Sequence, residues 1–229
     1  MRQVALTFDD GPHPRWTREI LDVLSENPAA NATFFIWGEQ AQQHSDVVTE
    51  AIRAGHSVQP HCWHHVAHWD LDAVEIRADI DRVLALLGEL GVSTPRLWRP
   101  PWGRLRGTDT SRIAEERDLE LAGWTIDTHD WAGHAGAELY TDVKAQIIAA
   151  PGEVAVVLMH DSYVEAIQAA HRSDCAATVE LVRRMIDDDE LTFTPLLGGL
   201  ADNLREQRDR PTDGTWAPSP GYTDPTSPT

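Results

Sequence analysis

The segment Gln3–Pro12 reads QVALTFDDGP, an apolar run that leads into two adjacent carboxylates and a Gly-Pro pair. The run predicts a buried strand over Gln3 to Phe8, and the Gly-Pro pair predicts a turn directly after it. Adjacent carboxylates at the end of a buried strand are costly unless cations or hydrogen bonds compensate them. One of Asp9 and Asp10 can therefore bind a metal ion while the other acts as a base. The alternative is an acidic turn that caps the next helix.

The alternation of an apolar run with an amphipathic segment repeats along the chain to about residue 200. Further apolar runs predict strands over Ala32 to Trp37, His56 to Gln59, Arg96 to Arg99, Leu121 to Ile126, Val154 to Met159 and Leu191 to Leu196. Helical periodicity predicts helices over Thr17 to Ser25, Glu39 to Arg53, Asp72 to Leu90, Ser111 to Arg117, Glu138 to Ala149 and Ala176 to Asp188. Such alternation predicts parallel pairing, and seven strands favour an α/β fold, a distorted (β/α)7 barrel in a single domain. A doubly wound open sheet is the alternative.

Composition limits the partners and the location. The 37 acidic and 19 basic residues give a net charge of −18, which repels phosphate backbones and anionic lipid headgroups, so we expect no nucleic-acid and no membrane partner. No apolar stretch is long enough to span a bilayer, and a strand begins almost at the first residue, which favours a cytoplasmic location; a secreted protein without its leader would look the same. Cys62 and Cys175 are far apart and are predicted to be reduced thiols. Residues 1–200 form the predicted catalytic domain, and 201–229, rich in Pro, Asp and Thr, a flexible tail.

Four histidines follow the third predicted strand within eight residues, in the segment His61–His68. In a helix, His61 with His65, or His64 with His68, would share a face and could bind one ion. The first pair together with Asp10 would leave open coordination positions, as a catalytic zinc site requires.

Three later strands also end in polar residues, at the face where barrel enzymes assemble their sites. The fourth ends in Arg99-Pro-Pro-Trp102-Gly, the fifth in Asp127–Trp131 and the sixth in Leu158-Met-His160. Each has an ordinary alternative: a surface turn, a helix cap beside a core tryptophan, and a solvent-facing histidine. Several of the nine tryptophans lie in or beside these loops, where flat rings suit the faces of sugars, although packing is the usual role of a tryptophan.

Taken in order, five segments resemble the motifs of the polysaccharide deacetylases of carbohydrate esterase family 4, the NodB-homology domain. They are Thr7–Pro12, His61–His65, Arg99–Gly103, Asp127–Trp131 and Leu158–His160, and the resemblance covers about residues 3–197. The family fold is a distorted (β/α) barrel, in agreement with the predicted strands.

The resemblance implies the catalytic roles. Asp9 would be the general base and Arg99 would orient it. His160 would be the general acid, and Asp127 would hold and tune its imidazole.

The resemblance also implies a metal site and a substrate site. Asp10, His61 and His65 would hold a divalent metal, usually zinc, with cobalt or other divalent ions as alternatives. The remaining expected contacts are the backbone N–H of Trp102 to the oxyanion, Trp131 as a groove wall, and Leu158 in a pocket for the acetyl methyl group.

The implied activity is metal-dependent hydrolysis of the N-acetyl group of an amino sugar, releasing acetate and a free amine. The expected partner is an acetylated carbohydrate: a chitin oligosaccharide, peptidoglycan or a smaller acetamido sugar. An O-acetyl esterase or a cyclic-amide hydrolase on the same scaffold is a second hypothesis, and a non-catalytic sugar-binding module is a third. The sequence does not indicate the oligomeric state.

One residue departs from the family pattern. Cys62 follows the first motif histidine, where the family usually has a Ser or Thr hydroxyl that braces the loop. Because a thiol is a weak donor, the brace is expected to be missing or replaced, and metal affinity could fall by roughly 10 to 100 fold. An alternative is that Cys62 serves as an additional, soft ligand.

Overall fold

The computed structural model describes residues 1–163, 174–200 and 202–206. The strands in these residues are β1 (Arg2–Asp9), β2 (Thr33–Trp37), β3 (Ser57–Cys62), β4 (Leu97–Trp98), β5 (Arg104–Leu105), β6 (Glu120–Leu121), β7 (Ile126–Asp127), β8 (Val154–His160), β9 (Leu191–Phe193) and β10 (Arg205–Glu206). The α-helices are α1 (Trp16–Ser25), α2 (Gly38–Gln43), α3 (Ser45–Arg53), α4 (Ala73–Glu89), α5 (Gly107–Glu115), α6 (Gly136–Ala149) and α7 (Ala176–Ile186). Short 3-10 helices span His68–Asp70, Pro101–Gly103 and Asp130–Ala132.

All paired strands are parallel, and β1 lies at the centre of the largest sheet. Its order is β3-β2-β1-β8-β7, and β8 pairs with β1 along the whole length from Gln3 to Asp9. The other edge of β1 is shared: β9 pairs with residues 2–4 and β2 with residues 7–9. The carboxyl ends of β1, β2 and β8 therefore meet at one end of the sheet.

The sheet curves into a distorted barrel through short pairings on its far side. Arg99 N donates to Pro60 O (3.4 Å) at the end of β3, and Ala122 N donates to Trp98 O (2.9 Å) beyond the β4–β6 pair. Between β6 and β7 the ladder is interrupted, and among the described residues β5 pairs only with β10. The architecture is the α/β, distorted (β/α)7 barrel that the strand count predicts.

Side-chain alternation along β1 separates two cores. Every second residue from Val4 to Phe8 packs into the large core between the sheet and the helices. Ala5 faces the other side, where it packs with Trp124 and Leu158. Because successive side chains in a strand point to opposite faces, Asp9 shares the face of Ala5. Strand β1 therefore brings Asp9 into the barrel interior.

Two predicted elements are divided in the structure. The helix predicted over Glu39 to Arg53 is broken at His44, whose backbone (φ −127°, ψ 45°) ends α2 and precedes α3. The strand predicted over Leu121 to Ile126 is two short strands, because Gly123 N donates to Leu200 O (2.6 Å) outside the sheet.

The buried face of α4 includes a polar residue, and one apolar residue of the helix is exposed. Val74 is 72% exposed, whereas Asp79 is buried beside Ile76 and Ile80. The helix begins one residue later than predicted, because Asp72 is the N-cap in a capping box with Glu75. A polar residue on the buried face is the feature that the apolar pattern misses.

The domain extends beyond its predicted end. Residues 205–206 pair with β5, and Asn203 Nδ2 donates to Trp124 O (2.7 Å). The predicted tail boundary at 201 is therefore too early, and the rest of the predicted tail, 207–229, lies outside the described residues.

Cys62 and Cys175 are both buried free thiols, as predicted. Among the described helices, none combines the length and the apolar character needed to cross a bilayer.

The capping box of α4 generates a stability prediction. Asp72 Oδ1 accepts from Val74 N (2.7 Å) and Glu75 N (2.9 Å), so Asp72→Ala leaves two helix N–H groups without this acceptor. We expect the free energy of unfolding to fall by about 1 kcal/mol in urea titrations. As control, Glu89→Ala in the exposed last turn should change it by less than about 0.5 kcal/mol; equal losses in the two variants would contradict the prediction.

Candidate active site

Three carboxylates and three imidazoles converge at the carboxyl ends of β1, β3 and β8. Asp9 ends β1 and Asp10 follows it directly. His61 and His65 come from β3 and the loop after it, and His160 ends β8. Asp9 and His160 are Cα partners in the β1–β8 pair. The third carboxylate is that of Asp130, described below.

Asp10, His61 and His65 form the one group of metal-ligating side chains found in the described residues. Asp10 Oδ1 lies 3.0 Å from His65 Nε2 and 3.3 Å from His61 Nε2. This oxygen is buried, and within the described part of the chain it makes no hydrogen bond. A buried oxygen without a donor, facing two imidazole nitrogens, fits a shared cation.

The backbone of the histidine segment differs from the helix that the spacing suggested. His61 lies in β3 and His65 in the irregular loop after it, so a strand end and a bend bring the rings together, with centroids 5.3 Å apart. The alternative pair, His64 and His68, is separated. His64 Nδ1 lies 3.1 Å from the Asp79 carboxylate, and His68 is buried next to Thr110 (Nδ1 to Oγ1, 3.2 Å).

The tautomer of His61 is set by a neighbouring carbonyl. Its Nδ1 lies 2.6 Å from Arg99 O, which can only accept, so Nδ1 carries the proton. Nε2 therefore presents a lone pair towards Asp10, as a metal ligand must. His65 Nδ1 is buried and has no hydrogen-bond partner in the residues described.

Strained backbone and close packing aim Asp10. Its φ is 74°, in the left-handed region that non-glycine residues rarely adopt. A Cβ at the next residue, Gly11, would overlap the Asp161 carboxylate, so glycine is required there. Asp161 Oδ2 accepts from Thr17 Oγ1 (2.6 Å), and Asp161 N donates to Asp9 O (3.3 Å). The acidic turn thus rests on a buried carboxyl group that the sequence did not single out.

Arg99 makes the contact that orienting Asp9 requires. Its side chain is 0% exposed, and Nη1 donates to Asp9 Oδ1 (2.8 Å) and to Thr7 Oγ1 (2.8 Å). Nε and Nη2 donate to the carbonyls of Ala122 (3.0 Å) and Gly123 (2.8 Å). Burial lowers the pKa of Arg99, an effect that Asp9 opposes, and the group stays charged at neutral pH.

The carboxylate that holds His160 is Asp130, and the prediction that Asp127 does so is wrong. Asp130 Oδ1 lies 2.8 Å from His160 Nδ1, and Asp130 Oδ2 accepts from His160 N (2.8 Å) and Thr178 Oγ1 (2.7 Å). Asp127 instead accepts from His129 N (3.0 Å). The left-handed backbone of His129 (φ 51°) starts a 3-10 turn that brings Asp130 beneath His160. Both carboxylates lie in the segment Asp127–Trp131, and the family resemblance was used to assign the role to the wrong one.

The charged groups of the site favour the protonated form of His160 and the ionised form of Asp10. Burial lowers the pKa of His160, but Asp130, with Asp10 and Asp9 further away, raises it to about 10. Burial opposes ionisation of Asp10, yet His65, His61 and His160 together hold its pKa well below its usual value. At neutral pH the site therefore pairs a protonated imidazole with an ionised metal-ligating carboxylate.

The three predicted substrate contacts border this centre. The Trp102 ring meets His65 edge-on, with centroids 4.2 Å apart, and Trp102 has φ 53° in the Pro101–Gly103 turn. Trp131 is 9% exposed and belongs to a buried cluster that includes Trp16. Trp102 packs against this cluster. Leu158 is buried on the interior face of β8. Their roles in substrate binding remain predictions.

Other tryptophans differ from expectation. Those at positions 63, 69 and 98 are buried, so they serve packing rather than sugar stacking. Trp37, the last residue of β2, is half-buried beside His65, with ring centroids 5.4 Å apart.

Cys62 is buried, and the pKa of its thiol is raised well above the usual value by burial and by nearby Asp79. It is not a member of the metal-ligating group, so the hypothesis of an additional soft ligand is not supported. The protonated thiol is a weak donor, as expected from sequence.

The family model described as polysaccharide deacetylase matches residues 1–131. The chain belongs to the polysaccharide deacetylase family. The match covers more than half of the sequence and includes the acidic turn, the histidine segment, and the Arg99 and Asp130 loops. The resemblance inferred from the five motifs is thereby confirmed.

Several relatives of this chain agree with the family assignment. It is 33% identical over 166 residues to a chitooligosaccharide deacetylase of Bradyrhizobium, covering 71% of this chain and 72% of the relative. It is 31% identical over 160 residues to a peptidoglycan-N-acetylglucosamine deacetylase of Bacillus cereus, covering 70% of this chain and 56% of the relative. This chain spans 32% to 56% of the length of several peptidoglycan deacetylases that it matches.

A solved structure supports the barrel. A family 4 carbohydrate esterase from Streptomyces lividans, in complex with acetate, superposes with a TM-score of 0.72 at 25% identity, covering 86% of this chain and 93% of that one. The distorted (β/α)7 barrel is confirmed, and the open sheet was the wrong alternative. Deacetylases of this family are metal-dependent, and Asp10, His61 and His65 form a group able to hold a cation.

The Asp130 contact generates a prediction for His160. Replacing Asp130 with Asn removes the nearest negative charge, so the pKa of His160 should fall by roughly 1 to 3 pH units. NMR titration of the imidazole in the metal-free protein measures it. As control, Asp127→Asn should leave the His160 midpoint unchanged. A larger shift in the Asp127 variant than in the Asp130 variant would contradict the assignment.

Proposed function

We propose that this protein is a metal-dependent hydrolase that removes N-acetyl groups from an amino sugar. One observation carries the proposal: the Asp10, His61 and His65 group lies at the same end of the sheet as Asp9, a carboxylate fixed by a buried arginine, and His160, an imidazole held by Asp130. This is the arrangement that amide hydrolysis needs, because a base must act on water and an acid must act on the leaving nitrogen.

We propose Zn²⁺ as the metal, with cobalt or another divalent ion as an alternative. Two imidazoles and one carboxylate form a ligand set typical of catalytic zinc sites, in which further positions stay open. When bound, the cation supplies a Lewis acid for the carbonyl of the acetyl group.

Asp9 acts as the general base. The hydrogen bond from Arg99 Nη1 fixes Oδ1, and Oδ2 takes a proton from the water that attacks the carbonyl carbon. Thr7 and two backbone carbonyls hold the guanidinium in place. The Asp9 carboxylate therefore cannot rotate without breaking its hydrogen bond to Arg99. The backbone N–H of Trp102 is proposed as a donor to the oxyanion, a kind of contact worth several kcal/mol in other hydrolases.

His160 acts as the general acid. Expulsion of an amine anion is prohibitively unfavourable, so the nitrogen must gain a proton as the C–N bond breaks. His160 gives that proton from Nε2, since Nδ1 is held by Asp130. Acetate and a free amino sugar result. Trp131 is proposed as a wall of the groove, and Leu158 as part of the pocket for the acetyl methyl group.

The proposed substrates are N-acetylated saccharides of the kind named for the relatives, chitin oligosaccharides or peptidoglycan. A smaller acetamido sugar is a further candidate. The strongly acidic composition, with a net charge of −18, disfavours retention on anionic polymers. Neutral oligosaccharides are therefore the substrates that electrostatics favours.

Two substitutions separate metal binding from proton transfer. Asp9→Asn should lower kcat for acetate release at least about 100-fold while the protein still binds zinc, because Asn cannot take the proton. His65→Ala should lose both activity and zinc, because it removes a ligand. Acetate release and zinc content of the purified variants are the measurements. Full activity in either variant would refute the role assigned to that residue.

A substrate panel tests the reaction class. Incubation with a chelator should abolish acetate release from N-acetylglucosamine oligomers, and added zinc should restore it. An O-acetylated xylan and a cyclic amide are the comparison substrates. Faster turnover of either would favour the esterase or cyclic-amide hypothesis, and no turnover of any substrate by the zinc-loaded protein would favour a non-catalytic binding module.

A further inference from the structure

The two histidines of the proposed metal site are held in different ways. His61 lies in β3 and its Nδ1 is fixed by Arg99 O (2.6 Å). His65 lies in the irregular loop between β3 and the 3-10 helix that starts at His68, and its Nδ1 has no hydrogen-bond partner in the described chain. Metal-ligating histidines are normally oriented through their second nitrogen. The position of His65 must therefore come from the loop backbone and from ring packing.

That backbone is held by one carboxylate from α4. Asp79 Oδ2 accepts from Trp63 N (2.6 Å), and Asp79 Oδ1 accepts from His64 N (2.8 Å). The same Oδ1 lies 3.1 Å from His64 Nδ1. Two consecutive N–H groups directed at one carboxylate fix the loop immediately before His65, and hydrogen bonds to a charged acceptor are about twice as strong as neutral ones.

Packing on both sides of Trp63 reinforces the contact. The Arg82 guanidinium, from the same helix, lies 3.7 Å from the centroid of a Trp63 ring. Gly38 lies against the indole, and a Cβ there would come within 2.6 Å of it. The indole is buried, so the loop cannot move away from α4 without exposing a large apolar ring.

We infer that Asp79 is a positioning residue for the metal site: it sets the loop so that His65 reaches the cation, and so replaces the hydroxyl brace that Cys62 cannot supply. This inference rests on the proposed function, because it concerns the proposed ligand His65. Asp79 is not a member of the Asp10, His61 and His65 group and acts through the backbone of Trp63 and His64.

Asp79→Asn tests the inference, because an amide of the same size can accept only through one oxygen and turns an N–H donor towards the other backbone N–H. The dissociation constant for zinc, measured by competition with a chromophoric chelator, should rise 10- to 100-fold. Asp81→Asn is the matched control: it is the same change in the same helix and breaks only an ion pair with Arg117 on the surface. Its zinc affinity should stay within about twofold of the parent protein.

The outcomes separate this inference from the proposed function. If the parent protein binds zinc and releases acetate while Asp79→Asn binds zinc as tightly as Asp81→Asn, the positioning role is overturned and the function stands. If the parent protein neither binds zinc nor releases acetate, both fail. Should Asp79→Asn not fold, amide hydrogen exchange in the zinc-free parent protein decides. Protected amides at Trp63 and His64 support the clamp, and exchange at the rate of an unstructured chain overturns it.

Discussion

The buried guanidinium of Arg99 is the interaction on which the barrel and its site both depend. A charge with 0% exposure is tolerated only if it is paired and its donor nitrogens are hydrogen-bonded. Arg99 meets this condition through β1, by Thr7 and Asp9, and through the carbonyls at 122 and 123, where the strand ladder between β6 and β7 is interrupted. Its own carbonyl accepts from His61. One side chain thus bridges the gap in the barrel and supplies the cation that the interior carboxylate requires.

The rest of the site compensates its acids one by one. Asp9 is paired with Arg99 and Asp130 with His160, and Asp10 faces two imidazoles with which it would share a cation. The fourth buried acid, Asp161, is different: burial raises its pKa to about 7, the bond from Thr17 opposes this rise, and the charges of Asp10 and Asp9 add to it. Near neutral pH this group is partly protonated, which limits the negative charge beneath the acidic turn. Such compensation explains how a site with four buried carboxyl groups is compatible with a folded protein.

Sequence reasoning succeeded where strand ends determine position and failed where loop geometry does. Asp9, Asp10, His61 and His160 follow buried runs, and parallel pairing brings the ends of such runs together whatever the loops do. The error at Asp127 arose because Asp127 and Asp130 lie three residues apart in a loop, and only the left-handed backbone at His129 decides which of them meets His160. Asp79 was missed because a helix prediction from apolar periodicity does not show which polar residues lie on the buried face. Long-range contacts of this kind leave no periodic signal.

The substitution at Cys62 and the carboxylate at Asp79 are best understood together. A loop that carries a metal ligand needs a hydrogen-bonding group nearby, and that group can come from the loop or from a neighbouring helix. Here the local residue is a buried thiol, and α4 provides a carboxylate that bonds two loop amides and a histidine ring. The role inferred for Asp79 would couple the candidate metal site to helix packing, because α4 contributes to the core through Ile76 and Ile80 and holds the loop through Asp79. A shift of α4 against β3 would therefore displace His65 more than His61, because His61 lies in a strand of the barrel.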